Sequence, residues 1–111
     1  MKKRIIRIHI HKLVTAIDRL RKQHLGDEAF GLSPLLRRTG NSIADYVAAA
    51  FEESERREKL RLARAAVSLL EECGTYLAVA EETTDCNTLK MRITAELVSI
   101  HLQSYINTLK K

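Results

Sequence analysis

The chain has 111 residues, of which 19 are Lys or Arg and 14 are Asp or Glu, giving a formal net charge of +5 and a pI near 9.5. This length fits one domain that buries an ordinary hydrophobic core without disulfide staples. Pro occurs once, Trp is absent and aromatic residues make up 5% of the chain, so the composition favours helices and argues against an all-β fold.

The positive charge is concentrated near the start of the chain. Residues 1–26 contain eight basic residues and one acidic residue, Asp18, whereas the remainder is close to neutral. A local basic block is typical of a surface that binds polyanions, and the alternative is a surface that only aids solubility.

Nothing in the sequence indicates export or membrane insertion. The basic start MKKRIIRIHIHK lacks the apolar run of a signal peptide. No stretch approaches the roughly 20 apolar residues of a membrane span, so we predict no membrane partner. Cys73 and Cys86 are thirteen residues apart without a CxxC motif, and we therefore expect free thiols in a cytoplasmic protein.

Breaker residues divide the chain into four predicted helices, at roughly 4–25, 33–51, 55–81 and 86–109. Short connections make neighbouring helices antiparallel. We therefore predict an all-α fold, an antiparallel up-down-up-down four-helix bundle in a single domain. The candidate N-caps of the last three helices are Ser33 (followed by Pro34 at the first helical position), Ser54, and either Thr84 or Asp85.

The first helix has an apolar stripe with the helical spacing 4, 3, 4, 3, 4 and a basic back. Its opening residues, RIIRIHI, also alternate like a strand, and that alternative stays open for the first turn. The stripe consists of Ile6, Ile10, Leu13, Ile17, Leu20 and His24.

The second helix carries two adjacent arginines, Arg37 and Arg38, which lie about 100° apart and both miss the apolar face of the helix. Small side chains beside them would let another helix come close. We predict an oligomer interface that includes Arg37, Arg38, Ala44 and Ala48. Contact of the two arginines with a polyanion is the alternative.

The third helix has a polar strip that is basic at its start and acidic toward its end. Its basic residues and those of the first helix form our predicted nucleic-acid-binding set. The set consists of Lys2, Lys3, Arg4, Arg7, Lys12, Arg19, Lys22, Arg57, Arg61 and Arg64. Because aromatic stacking platforms are nearly absent, we expect phosphate contacts rather than recognition of single-stranded bases.

The fourth helix carries two apolar stripes, although a helix in a monomeric bundle needs only one. One stripe consists of Leu89, Ile93, Leu97 and Ile100. The other consists of Met91, Ala95, Val98, Leu102, Tyr105 and Leu109. We predict that a second copy of the chain covers the surplus stripe, with Met91, Val98, Leu102 and Tyr105 at the oligomer interface. The alternative is a helix that lies deeper in its own core.

No pattern of side chains indicates catalysis. His9 and His11 point apart on a helix and could share a metal only on a strand, so we predict no metal site. No HExxH, P-loop or GxSxG motif is present. Adjacent glutamates are interpreted as solvated surface, and Cys73 as part of the core. We therefore predict a non-enzymatic protein without a cofactor.

Residues 30–51, FGLSPLLRRTGNSIADYVAAAF, resemble the pattern FGL-x-x-Q-[IL]-R-R-A-x-x-S-I-x-x-N-I-A-E-G-F. That pattern belongs to bacterial four-helix-bundle proteins encoded in intervening sequences of 23S ribosomal RNA genes, which are related to the accessory variability proteins of diversity-generating retroelements. Residues 65–71, AAVSLLE, also resemble the family's A-x-G-S-L-x-E. The chain departs from these patterns at Tyr46, at Ala49 and Ala50, and at Val67.

The resemblance implies a non-enzymatic bundle that assembles into a ring-like homo-oligomer, typically a pentamer. The retroelement relatives bind nucleic acid and a reverse transcriptase. Our first functional hypothesis is a basic homo-oligomeric scaffold that binds RNA or DNA through phosphates. Our second hypothesis is a protein adaptor whose partner, such as a reverse transcriptase, contacts the apolar faces and the arginine pair.

Overall fold

Four α-helices make up most of the computed structural model, which describes residues 2–25, 31–84 and 86–110 but not the side chain of Lys2. They are α1 (Lys2–Leu20), α2 (Leu32–Glu52), α3 (Arg56–Thr84) and α4 (Leu89–Leu109), and a π-helical turn (Arg21–Leu25) extends α1. The described residues contain no strand, so the all-α prediction is confirmed. The strand alternative for the first turn is wrong because helix α1 already includes it.

The four helices pack around one hydrophobic core. Helix α1 contacts α2 and α4, and α3 contacts the same two helices, whereas the described parts of α1 and α3 do not approach each other. The described part of the chain measures 45 × 20 × 18 Å. The most deeply buried large side chains come from all four helices and include Ile6, Leu13, Ile17, Leu36, Ile43, Leu77, Val98 and Leu102.

The apolar stripe of α1 is buried as predicted from Ile6 to Leu20, but its last member is different. The sequence indicated His24, four residues after Leu20, whereas the structure exposes His24 and buries Leu25. The π-helical turn explains the difference, because its hydrogen bonds span five residues and so place residue i+5 on the face of residue i.

Helix α2 begins earlier than predicted, and Ser33 is not its N-cap. Gly31 occupies the cap position with φ 75°, a left-handed conformation that glycine adopts without a Cβ penalty. Pro34 is the third residue of α2, still within the first turn, where its missing N–H removes no helical hydrogen bond. Ser33 is buried, and its hydroxyl accepts a hydrogen bond from Arg21.

Helices α3 and α4, in contrast, begin later than the candidate caps suggested. Glu55, not Ser54, precedes α3, and its carbonyl oxygen accepts the Lys59 N–H at 2.9 Å. Thr84 is the last residue of α3, so it does not cap α4, and Asp85 lies outside the described residues. Thr88 takes the cap position of α4 without a side-chain capping bond.

The entry to α4 is held by a polar network around the fully buried Thr88. Its N–H donates to Glu81 Oε1 at 2.8 Å, and its hydroxyl oxygen lies 3.2 Å from both that carboxylate oxygen and the Leu77 carbonyl oxygen. Arg92 donates to Thr88 Oγ1 at 3.1 Å and forms an ion pair with Glu81 at 3.1 Å. These bonds lower the pKa of Glu81 below its ordinary value, with the Thr88 backbone N–H as the largest cause. The network fixes the position of α4 relative to α3.

Candidate nucleic-acid interface

The basic residues predicted on α1 lie on the surface and are free of carboxylate partners among the described residues. Those whose side chains the structure describes are Lys3, Arg4, Arg7, Lys12, Arg19 and Lys22. Lys2 was also predicted here, but its side chain lies outside the description. Exposed cations without an internal counter-charge keep their full attraction for an external polyanion.

Two of these cations are oriented by an aromatic ring at the end of α2. Lys3 Nζ lies 5.4 Å from the centroid of the Phe51 ring, and Arg7 Cζ lies 5.2 Å from the same centroid. Contacts of this kind are cation–π interactions and hold a long side chain in place at a modest energetic gain. Lys3 Nζ also lies 6.0 Å from the Tyr105 ring centroid on α4.

The basic strip of α3 carries less free charge than its sequence suggested. Arg57, Arg61 and Arg64 are all exposed. However, Arg61 binds Glu58 through two bonds of 2.7 Å. This hydrogen-bonded pair lowers the pKa of Glu58 and raises the pKa of Arg61. Arg57 and Arg64 therefore remain as the unpaired cations of this strip within the described residues.

The strips of α1 and α3 share one end of the molecule but not one side. Lys3 of α1 contacts Tyr105, and Arg56 of α3 donates a hydrogen bond to the Leu109 carbonyl oxygen, so both helices start beside the end of α4. Because α1 and α3 are not neighbours, their outer faces point away from each other. A flat ligand cannot contact both strips of one protomer, whereas a ligand that wraps around this end can.

Arg37 and Arg38 lie in a groove of about 790 Å³ beside the end of α1, which we name the arginine groove. Both arginine side chains are exposed. The lining of the groove consists of Arg21, Ser33, Pro34, Arg37, Arg38, Asn41 and Ser42. Nearby on α3, Tyr76 donates to Glu72 at 3.1 Å, which raises the pKa of Tyr76, and the Arg38 charge acts against that rise.

Sequence reasoning did not select Arg21, although this residue closes the arginine groove. Arg21 Nε donates to the Ser33 carbonyl oxygen at 3.0 Å and to Ser33 Oγ at 2.9 Å, and Nη1 binds Asp18 at 3.2 Å. Arg21 is the first residue of the π-helical turn. In the sequence it is one cation of a basic run, and no pattern marks its approach to α2.

Ala44 and Ala48 lie near the same chain's α1. With Arg7, His11 and Val14 they line an apolar hollow of about 300 Å³ between α1 and α2. Ala44 is partly buried there, and Ala48 is exposed. Their small side chains therefore lie beside α1 of their own protomer. A neighbouring subunit is not needed to explain small residues at these positions.

The oligomer interface predicted on α4 must be corrected. Val98, Leu102 and Tyr105 are buried in the core of a single chain, and Met91 packs against them half-buried, so these residues have little surface to offer a second copy. The other stripe is the exposed one. Its relative exposures are 52% for Leu89, 51% for Ile93, 38% for Leu97 and 53% for Ile100. We name these four residues the outer face of α4.

Histidines and cysteines do not form a reactive group in the described residues. The His9 ring stacks on the His101 ring with centroids 6.4 Å apart, while His11 is exposed. The described residues contain no cluster of three or more metal-ligating side chains. Burial raises the pKa of the Cys73 thiol to about 12, and Cys86 is also buried. A protonated, enclosed thiol is a poor nucleophile.

None of the helices in the described ranges combines the length and apolar character needed to cross a bilayer.

Comparisons with known proteins identify the fold. No protein-family model matches this sequence, and no curated protein matches it. A crystal structure of a protein of unknown function from the S23 ribosomal protein family of Bacteroides thetaiotaomicron is similar, with a TM-score of 0.86 over 96% of this chain and 99% of that chain. The two sequences are 20% identical. At this identity the similarity shows a shared all-helical fold.

Proposed function

We propose that this protein is a non-enzymatic, homo-oligomeric scaffold that binds RNA or DNA through phosphate contacts. The observation that carries the proposal is the set of exposed α1 cations that have no carboxylate partner among the described residues. Lys and Arg neutralise phosphates and release condensed counterions, which gives salt-sensitive binding with little sequence preference.

The proposed scaffold is an antiparallel up-down-up-down bundle, which acts in the cytoplasm with its two cysteines as free thiols. Contacts between the helices support the antiparallel orientation of neighbouring helices. The contacts of α1 residues 3 and 9 with α4 residues 105 and 101 run in opposite order along the two helices. Lys59 near the start of α3 donates to the Ala50 carbonyl oxygen near the end of α2.

The outer face of α4 supports the proposed self-assembly. Its four large apolar side chains follow the spacing 4, 4, 3 along one helix and are each more than a third exposed. A second copy that covers this face removes the apolar surface from water. A ring, with a pentamer as the favoured copy number, follows from the resemblance to the intervening-sequence proteins. Repetition of the basic surface around a ring would raise avidity for a long polyanion.

Binding to a labelled RNA of about 30 nucleotides, followed by anisotropy over salt from about 50 to about 200 mM, tests the proposal. Each neutralised phosphate contributes about 0.7–0.9 to the slope of log K against log salt. Arg4→Gln combined with Lys12→Gln and Arg19→Gln is expected to weaken binding and to flatten that slope by about 2–3.

The matched control is Arg61→Gln, because the charge of Arg61 is already engaged by Glu58. This variant should bind nearly as well as the parent protein. Absence of RNA and DNA binding at about 50 mM salt, or an equal effect of the control and the triple variant, would reject the proposal.

A protein adaptor is the second candidate function, and the same outer face of α4 favours it, since a different protein could cover that face. A reverse transcriptase is the partner that the family resemblance implies. A complex with the purified enzyme that persists after nuclease treatment would support the adaptor. Disappearance of the protein–protein complex when nuclease digests the nucleic acid would exclude the adaptor function.

A further inference from the structure

We propose that the arginine groove is a binding site for a phosphate group, held by Arg21, Arg37 and Arg38. The ligand class is a sugar phosphate, which is either a free nucleotide or a phosphate of a nucleic-acid strand. This site lies at the opposite end of α1 from Lys3 and Arg7. It uses none of the cations in the predicted nucleic-acid-binding set. It therefore goes beyond the proposed function and can be tested separately.

The arginine groove is positively charged. Three guanidinium groups line one groove, and none of the described lining residues is acidic. The carboxylate that contacts this set is Asp18, which binds only Nη1 of Arg21. Guanidinium groups are planar donors that match two oxygens of a phosphate at once, and Arg is accordingly common where phosphates are recognised.

Arg21 is held in place before any ligand arrives. Its side chain is only 21% exposed, and both Nε and Nη1 are bound within the protein. Nη2 forms no bond with the described residues and remains for a ligand. Because the side chain is already ordered, binding a phosphate costs little additional conformational entropy. Single π-helical turns occur often at functional sites, and here the turn begins with this arginine.

Arg37 and Arg38 supply the solvent-exposed part of the site. Neither forms an ion pair or a hydrogen bond with the described residues. Ser33, Asn41 and Ser42 add neutral hydroxyl and amide donors around them. The groove volume of about 790 Å³ falls within the usual range of small-molecule sites. It is large enough for a phosphate with its attached sugar.

The arginine groove is separate from the outer face of α4 within one protomer. Helix α2, which carries Arg37 and Arg38, has no close contact with α4, so the two helices lie diagonally across the core. Their outer faces consequently point in opposite directions.

Titration of the isotopically labelled full-length protein, followed by NMR at constant ionic strength, tests the site. Three probes are used: inorganic phosphate, adenosine monophosphate, and a short oligonucleotide without terminal phosphates. We expect shifts of the Arg21, Arg37 and Arg38 Nε–H signals. Binding of the monophosphate without the oligonucleotide would indicate a terminal or free phosphate, whereas binding of both would indicate a backbone phosphate.

Variants complete the test. Arg37→Gln and Arg38→Gln are each expected to weaken binding of the monophosphate about tenfold, since each removes a charge-assisted contact. Lys90→Gln at the start of α4 is the control, because Lys90 is an exposed cation outside both the groove and the predicted nucleic-acid-binding set, and no effect is expected. The binding result for Arg21→Gln is used only if the circular dichroism spectrum of the variant equals that of the parent protein. The Arg37 and Arg38 variants test the site independently of it.

Three outcomes would overturn the proposal. The first is an absence of groove shifts with all three probes at millimolar concentration. The second is an equal loss of binding in Lys90→Gln, which would indicate unspecific attraction to net charge. The third is unchanged phosphate binding together with a changed assembly mass in Arg37→Gln or Arg38→Gln, which would assign the arginines to a subunit interface.

Discussion

The inner and outer faces of α4 are both apolar and lie in different environments. On the inner face, Val98 and Leu102 are fully buried against the other helices, whereas Ile93 and Ile100 on the outer face remain about half exposed. Side chains of similar size within one helix therefore contribute different amounts to the stability of the protomer. Burial of the inner face stabilises the protomer, as does the buried part of the outer face, whereas the exposed part of the outer face can contribute only when another molecule covers it.

The polar network around Thr88, which we name the tether, holds α4 with its inner face toward the core. Its bonds to Leu77 and Glu81 and the Glu81–Arg92 ion pair set the rotation of α4 at its first turn. An amphipathic helix with two apolar faces needs such a polar anchor, because hydrophobic burial alone is nondirectional. The four predictions below test the contrast between the two faces, from the largest expected effect to the smallest.

Truncation on the inner face should have the largest effect on stability. Leu102→Ala removes a fully buried side chain and is expected to lower the free energy of unfolding by about 2–5 kcal/mol. Ile100→Ala on the outer face, where the side chain is 53% exposed, should lower the free energy of unfolding of the isolated protomer by only about 1 kcal/mol. Urea denaturation at low protein concentration measures both. Equal losses would contradict the contrast.

Charge on the outer face should change the assembly and leave the fold intact. Ile93→Lys combined with Ile100→Lys places two ammonium groups on the apolar stripe, and we expect light scattering to report the protomer mass at micromolar concentration. The control, Thr15→Lys on α1 with Ser54→Lys between α2 and α3, adds the same charge at exposed polar positions off α4 and should keep the parent mass. A parent protein that is itself monomeric would refute the proposed assembly.

Loss of the Thr88 hydroxyl should loosen the tether. Thr88→Val keeps the volume and leaves Arg92 Nε without this acceptor, so we expect a loss of about 1–2 kcal/mol in the free energy of unfolding. Thr88→Ser keeps the hydroxyl and removes one methyl group, at about 0.8 kcal/mol. Thermal and urea denaturation compare the two variants. A Val variant as stable as the parent would show that the hydroxyl does not anchor α4.

Acidification should weaken the same tether, with the smallest effect of the four. The pKa of Glu81 in the folded state is below its ordinary value of 4.5. Its contribution to stability is therefore present above pH 4.5 and is lost as the pH falls through the folded-state pKa. The urea midpoint of the parent should fall more steeply below pH 4.5 than that of Glu81→Gln. Parallel curves would contradict this assignment.

Helical periodicity was sufficient to predict four helices and most of the core. The stripe from Ile6 to Leu20 is buried as its spacing indicates. For α4 the same periodicity identified two stripes but could not tell which one faces inward. That choice depends on the tether at Thr88, a residue that the sequence placed inside the predicted helix without any distinguishing signal.

The arginine groove lies beyond sequence reasoning for a related reason. The pattern correctly placed Arg37 and Arg38 off the core face of α2, and both are exposed. Their association with Arg21 depends on a non-local contact between the end of α1 and Ser33. The π-helical turn that brings Arg21 there also exchanges His24 for Leu25 in the core, a change that 3.6-residue periodicity does not anticipate.

The π-helical turn at Arg21–Leu25 also gives this sequence a tolerant position for evolutionary change in length. Deletion of one residue between Lys22 and His24 would convert the wide turn into a regular one, and Leu25 would keep its place above Leu20 at the ordinary four-residue spacing. Descendants that differ by such a deletion would therefore keep the same interior.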